Sequence, residues 1–204
     1  MENSPVIVLA SRNRKKLREM AEQLIPYRLE LISAADLPDV PDVEEGAESF
    51  ADNAALKAVA VARATGCWAL GDDSGLAVDA LDGAPGVISS RYAGPEATDR
   101  DNNRRLLEQL AGVPDARRSA RFVCHLAVAD PTGQIRLQTD GECRGRILDA
   151  DRGGGGFGYD PLFLIPEYHR TFGELSPMVK SVLSHRARAF GRLLPRLVAL
   201  LDAC

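Results

Sequence analysis

The stretch Gly71-Asp72-Asp73-Ser74-Gly75 places two adjacent carboxylates after the apolar run Trp68-Ala69-Leu70 and between two glycines. Carboxylates pinned at a strand end lie where α/β proteins usually carry their sites. Successive strand residues face opposite sides of a sheet, so only one of the two aspartates faces a given pocket. That carboxylate could bind Mg²⁺ or orient a water. An Asx-turn, with aspartate capping its own backbone, accounts for the same residues equally well.

A second cluster, Ser11-Arg12-Asn13-Arg14-Lys15-Lys16-Leu17-Arg18, holds five basic residues in eight. It falls where a strand gives way to a helix. A helix start normally prefers acids, because the macrodipole is positive there. Basic residues at that end fit a polyanion held by helix N–H groups and side chains together. A solvated basic helix face is the plainer alternative. The pattern G-x-x-x-x-G-K-[ST] does not occur, which excludes a P-loop.

Glu44, Glu45, Glu48 and Asp52 precede an alanine-rich segment that carries Asn53 and Lys57, four residues apart and on one helical face. Lys180 lies one turn before Ser184-His185-Arg186, where Ser184 as a helix cap is the plain reading. Four glycines, Gly153 to Gly156, precede Phe157-Gly158-Tyr159-Asp160. The spacing G-x-G-x-x-G occurs here, but Pro161 and the apolar run Leu162 to Ile165 follow where a dinucleotide fingerprint needs a helix.

These clusters need elements to hold them. Val6 to Leu9 and Leu29 to Ile32 predict strands, and residues 13–25 predict a helix capped by Asn13. Ser49 to Thr65 predicts a helix closed by Gly66. Short strands are expected at 68–70 and 76–81, and an amphipathic helix at 97–111. Ala120 to Ala129 and Gln134 to Gly141 read as a long antiparallel hairpin across the turn Asp130-Pro131-Thr132-Gly133. A further strand is expected near 142–148, and a helix over 189–201 bent at Pro195. Ser176-Pro177 marks a helix start. The sum is a mixed α/β fold.

The chain has 204 residues, 45% of them hydrophobic, and a formal net charge of −4. That length suits one domain, or one domain with a smaller lobe. The charge argues against a general nucleic-acid binder, and no apolar run is long enough to span a bilayer. Four separated cysteines without a C-x-x-C pair, and a start MENSPVIVLAS without a basic leader, point to a reduced, cytoplasmic protein. Three scattered histidines argue against a His-based transition-metal site.

Taken together, and in order along almost the whole chain, these motifs resemble the inosine/xanthosine triphosphate pyrophosphatase family, the house-cleaning nucleotide hydrolases. The family's T-G-N-x-x-K loop looks like Ser11 to Lys16. Its E-x-G-x-[ST]-F-x-E-N-A-x-x-K-A segment is similar to Glu45 to Ala58, and its D-D-S-G-L-x-V-D-x-L-x-G-x-P-G to Asp72 to Gly86. The loop G-G-F-G-Y-D-P-x-F and the motif K-S-x-x-S-H-R also recur, the latter at Lys180 to Arg186. Two positions depart: Arg12 replaces the glycine of T-G-N, and Asp52 replaces the glutamate before Asn53.

The resemblance implies an elongated α/β protein of two lobes over residues 1–204, with the site in the central cleft and usually a homodimer. It implies Mg²⁺-dependent hydrolysis of ITP, dITP and XTP to the monophosphate and pyrophosphate. Asp73 would be the general base and, with Glu45, the metal ligand. Ser11, Arg12, Asn13, Arg14, Lys15, Lys16, Asn53, Lys57 and Ser74 would meet the substrate, with the basic loop and Lys57 on the triphosphate. Phe157 would stack on the purine, Gly158 and Tyr159 would form its wall, and Asp160 would accept from ring N–H groups. Lys180, His185 and Arg186 would bring donors to the base edge, favouring a 6-oxo over a 6-amino group. A non-hydrolytic nucleotide sensor and a Maf-like pyrophosphatase of other modified nucleotides are the competing readings.

Overall fold

The structure is a computed structural model that describes residues 6–38, 40–41, 43 and 46–202. The apolar tetrapeptide Val6–Leu9 forms β1, and α1 spans Arg14–Leu24. Strand β2 is Glu30–Ser33, α2 is Phe50–Thr65 and β3 is Trp68–Val78. Helix α3 (Asp99–Gln109) is followed by β4 (Ser119–Ala129) and β5 (Ile135–Ile147). Two short strands, β6 (Phe163–Ile165) and β7 (Arg170–Thr171), precede α4 (Pro177–Leu183) and α5 (His185–Asp202).

Local chemistry explains most of these boundaries. The Asn13 side chain accepts from the N–H groups of Lys15 and Lys16 and starts α1. The Ser49 hydroxyl caps α2, and Gly66 closes it in the left-handed conformation at φ 64°. Thr98 and Asp101 form a capping box on α3, and Ser176 caps α4 with Pro177 in its first turn. In the turn between β4 and β5, Asp130 Oδ1 accepts from Thr132 and Gln134 N–H groups, an Asx-turn as its residue types suggest.

Among the described residues the strands form one seven-stranded sheet in the order β2-β1-β3-β4-β5-β6-β7. Strand β1 is parallel to both β2 and β3, and the connecting chain carries α1 and α2 as parallel pairing requires. Strand β6 is antiparallel to β5 and β7. The mixed α/β class expected from the sequence is the observed one. Among the described residues no helix is long and apolar enough to cross a membrane.

The chain divides into two compact units, and the divisions fall inside β3, β4, β5 and the first turn of α5. The first comprises Met1–Asp73, Cys124–Gly141 and Arg186–Cys204. Its sheet is covered on one face by Met20 and Leu24 of α1 with Phe190, Leu193 and Leu197 of α5. Ala54, Ala58, Val61 and Ala62 of α2 cover the other face. The second unit comprises Ser74–Val123 and Glu142–His185. Leu106 and Leu110 of α3 pack there with Phe122, Phe163 and Phe172, and the Phe122 and Phe163 rings are 4.6 Å apart.

The elements depart from the sequence reading in two places. No break separates 68–70 from 76–81, since β3 runs unbroken through both aspartates. The strand expected near 142–148 is the continuation of β5. Helix α5 begins at His185, directly after the Ser184 expected as a cap, and continues through Pro195. Glycines were the reason for the expected breaks, but Gly71 serves close packing instead. A Cβ there would lie 1.9 Å from the Ala54 carbonyl oxygen of α2. Gly71→Ala should therefore push α2 off the sheet and destabilise the protein by at least about 1–3 kcal/mol, measured by thermal or urea unfolding.

Candidate functional site

Because β3 continues through Asp72 and Asp73, the pleat sends the two carboxylates to opposite faces of the first unit's sheet. Asp72 points toward the α1 and α5 face. It is fully buried, and its Oδ1 takes Lys16 Nζ at 2.6 Å while its Oδ2 takes Arg186 Nε at 2.6 Å. Arg186, 2% exposed, also reaches Glu19 Oε2 through Nη1 at 2.5 Å. Cys124 Sγ lies 3.8 Å from Asp72 Oδ2. Burial by itself raises the Asp72 carboxyl, but the charges of Arg186 and then Lys16, with their hydrogen bonds, hold it well below the usual carboxylate range. Burial opposes the Arg186 charge, yet Asp72, then Glu19 and Cys124, raise its affinity for its proton above an ordinary guanidinium's.

Asp73 points to the α2 face. Its Oδ1 takes Lys57 Nζ at 2.7 Å, and the same ammonium reaches the Asp72 carbonyl at 3.2 Å. Two lysines on two helices therefore converge on adjacent residues of one strand, from opposite sides. Such pairs are strong only because each partner is desolvated and hydrogen-bonded.

The rest of the basic loop lies close by in the chain. Ser11 Oγ accepts from the Asn13 N–H at 3.2 Å, and Arg12 donates to the Val40 carbonyl at 3.2 Å. Arg14 makes a two-pronged pair with Asp36, and Lys15 is exposed. Asn53 is buried, with both ends of its amide on the Ala47 peptide at 3.1 and 3.2 Å. It holds the loop entering α2. Ser74, partly buried, follows Asp73 in β3 and is the first residue of the second unit. Glu45, the expected metal ligand, lies outside the described residues.

In the second unit the glycine loop is tied to α4. Asp160 Oδ2 accepts from Lys180 Nζ at 2.6 Å and from the Phe157 N–H at 2.8 Å. The Lys180 ammonium lies 4.6 Å from the centroid of the Phe157 ring, a cation–π contact. Gly156, at φ 77°, passes so near that a Cβ would lie 2.0 Å from Asp160 Oδ2. Tyr159 is buried and its hydroxyl donates to the Ser89 carbonyl at 2.8 Å. Burial first, with Tyr92 and Asp99, raises its phenol above the ordinary value, so it stays a neutral donor.

The two residues expected at the base edge, His185 and Arg186, are both buried and engaged. Arg186 belongs to the first unit and spends Nε and Nη1 on carboxylates. The His185 ring is 5% exposed and stacks on Phe122, with centroids 4.8 Å apart. Glu19 and Cys124 were not singled out from the sequence. The available signal for Glu19 was an acid three residues after Lys16 in a basic segment.

Comparison with known proteins follows the same lines. The model of the Ham1 family matches residues 7–196. A dITP/XTP pyrophosphatase of Rhodopirellula baltica is 49% identical over 197 residues, covering 97% of this chain and 95% of the relative. One of Desulforamulus reducens is 50% identical over 183 residues, covering 90% of each chain. The solved structure of a HAM1 protein from Coxiella burnetii is 42% identical with a TM-score of 0.86, covering 98% of this chain and 100% of that one.

The depressed Asp72 carboxyl has a signed consequence. Its stabilisation is complete above the unfolded-state value, about pH 4, and is lost as pH falls through its folded value. Asp72→Asn leaves Lys16 without its buried counter-charge and Arg186 with Glu19 alone, and should cost about 3–5 kcal/mol at neutral pH. Melting temperatures measured from pH 7 down to 3 should fall less steeply in Asp72→Asn than in the wild type.

Proposed function

Because the chain belongs to the Ham1 family, we propose that it hydrolyses non-canonical purine nucleoside triphosphates, ITP, dITP and XTP, to the monophosphate and pyrophosphate. The observation that carries this reading is the convergence of Lys16 and Lys57 on the two adjacent aspartates of β3. A triphosphate needs cations in place before it arrives, and phosphoryl chemistry is mostly positioning and charge neutralisation. Lys16 and Lys57 supply that charge, with the amide-rich start of α1 behind them.

Asp73 is the general base. It takes a proton from the water that attacks the α-phosphorus, as the bond from that phosphorus to the bridging oxygen breaks. The electron pair leaves with pyrophosphate. Lys57 orients the base by holding one carboxylate oxygen. Asp72, committed to Lys16 and Arg186, holds the strand and the lysine rather than the water.

Mg²⁺ is part of the proposal. Among the described residues no group of three or more His, Cys, Asp or Glu could hold a metal ion. Mg²⁺ in phosphate enzymes is usually held by one or two carboxylates plus substrate phosphate oxygens, and the hard oxygens of Asp73 fit that donor type. Asp73 and Glu45 would hold the ion, which when bound supplies charge neutralisation of the phosphates. The purine falls to Phe157 as stacking surface, with Lys180 and Asp160 as donor and acceptor beside it. A cytoplasmic homodimer completes the reading, and sedimentation of the purified protein tests the dimer.

The deciding experiment measures pyrophosphate and phosphate separately on ITP, dITP, XTP and ATP with Mg²⁺. Pyrophosphate release favouring the 6-oxo nucleotides is expected, and binding without release would favour the sensor. Asp73→Asn should lower kcat by at least about 10²-fold while nucleotide binding survives better. Near wild-type turnover would end the assignment to Asp73. Lys16→Ala and Lys57→Ala should raise KM for ITP and XTP alike and leave their ratio unchanged. A changed ratio would move that lysine to the base.

A further inference from the structure

Helix α3 carries no residue assigned above, yet its first turns grip the aromatic loop of the second unit. Asp99 and Asn103 are four residues apart and therefore share a face. Asp99 Oδ2 accepts from the Gly158 N–H at 2.8 Å, and Asn103 Nδ2 donates to the Gly158 carbonyl at 3.1 Å. The peptide groups on both sides of one Cα are thus fixed by one helix. Gly158 has φ 61°, a conformation L-residues rarely adopt, although a Cβ there would meet nothing within 4 Å. Glycine is required for direction rather than for space, and direction is what the two side chains hold.

The neighbouring residue extends the grip. Asn102 donates to the Ser90 carbonyl at 3.0 Å and accepts from the Ala93 N–H at 2.8 Å. That segment presents the Ser89 carbonyl to the Tyr159 hydroxyl. One turn and a half of α3 therefore fixes Gly158 directly and Tyr159 through an intermediary. Asn103 is buried, and its Oδ1 has no hydrogen-bond partner. An orphaned buried acceptor costs stability and offsets part of what the hydrogen bond to Gly158 contributes.

We infer that Asp99 and Asn103 are positioning residues for nucleotide recognition, clamping Gly158 so that the Phe157 ring and the Tyr159 wall are held in their binding orientation before substrate arrives. This rests on the assignment of the Phe157 loop to the purine. The clamp acts on binding and leaves the water, Asp73 and the lysines untouched, so its loss separates KM from kcat.

The test uses the full chain with Asn103→Leu, Asp99→Ala and Asp99→Asn, and reads KM and kcat for ITP, melting temperature, and hydrogen exchange over residues 153–163 without nucleotide. Asn103→Leu removes the clamp and the orphaned oxygen together. Losing the bond to Gly158 and losing the orphaned oxygen act in opposite directions. The variant should therefore melt close to the wild-type temperature, exchange faster in the loop, and raise KM about tenfold with kcat nearly unchanged. Asp99→Ala should also raise KM, and Asp99→Asn should restore it, because the amide oxygen accepts from the same N–H. Unchanged KM in Asn103→Leu and Asp99→Ala overturns the proposal. So does a joint fall of kcat and melting temperature, or an Asp99→Asn as impaired as Asp99→Ala. A wild type that hydrolyses no ITP would instead defeat the functional reading, while loop exchange in the same variants still decides the clamp.

Discussion

A carboxylate with no contact with water holds the first unit together. Asp72 is tolerable inside the protein only because Lys16 and Arg186 each meet one of its oxygens, and Arg186 is tolerable only because Glu19 takes another of its donors. Helices α1 and α5 are thereby fastened to β3 by charge as well as by the packing of Met20, Leu24, Phe190 and Leu193. Apolar packing alone would let a helix slide by a fraction of a turn at small cost. A buried ion pair with hydrogen-bond geometry does not.

The pleat of β3 turns that fixed point into a working arrangement. Asp72 is consumed by structure on one face, and Asp73, one residue on, faces α2 and Lys57. Two chemically identical neighbours thus receive different duties from nothing more than strand periodicity. The close approach of α2 at Gly71 brings Lys57 within reach of both Asp73 and the Asp72 carbonyl. In the second unit the same economy appears at Asp160, which joins a helix lysine to the loop backbone and seats the ammonium against Phe157.

Much of this was legible before any coordinates. Asn13, Ser176 and Gly66 announced helix ends because capping depends on a few adjacent residues. The opposite orientations of Asp72 and Asp73 follow from the period of a strand, once a strand is granted. What no local pattern encodes are the partners chosen over long distances: Arg186 pairs with carboxylates in β3 and α1, and the His185 ring lies against Phe122. The Asn53 amide closes on the backbone of Ala47. Glycine punctuation misled for a related reason, since Gly71 is small for a neighbour's sake and not for a turn's.

The order of the chain sets a further demand. The first unit is assembled from three separate stretches, and the last begins at Arg186, 114 residues after the aspartate it binds. During synthesis the strand bearing Asp72 is complete long before that cation leaves the ribosome. Until then the α1 face of the sheet lacks both the apolar cover of α5 and half the counter-charge for its buried acid. Contacts so distant in sequence make folding slow and late. The nascent chain therefore carries an open, acid-bearing apolar face from the completion of β3 until α5 is made, and α5 is the part that makes the earlier elements permanent.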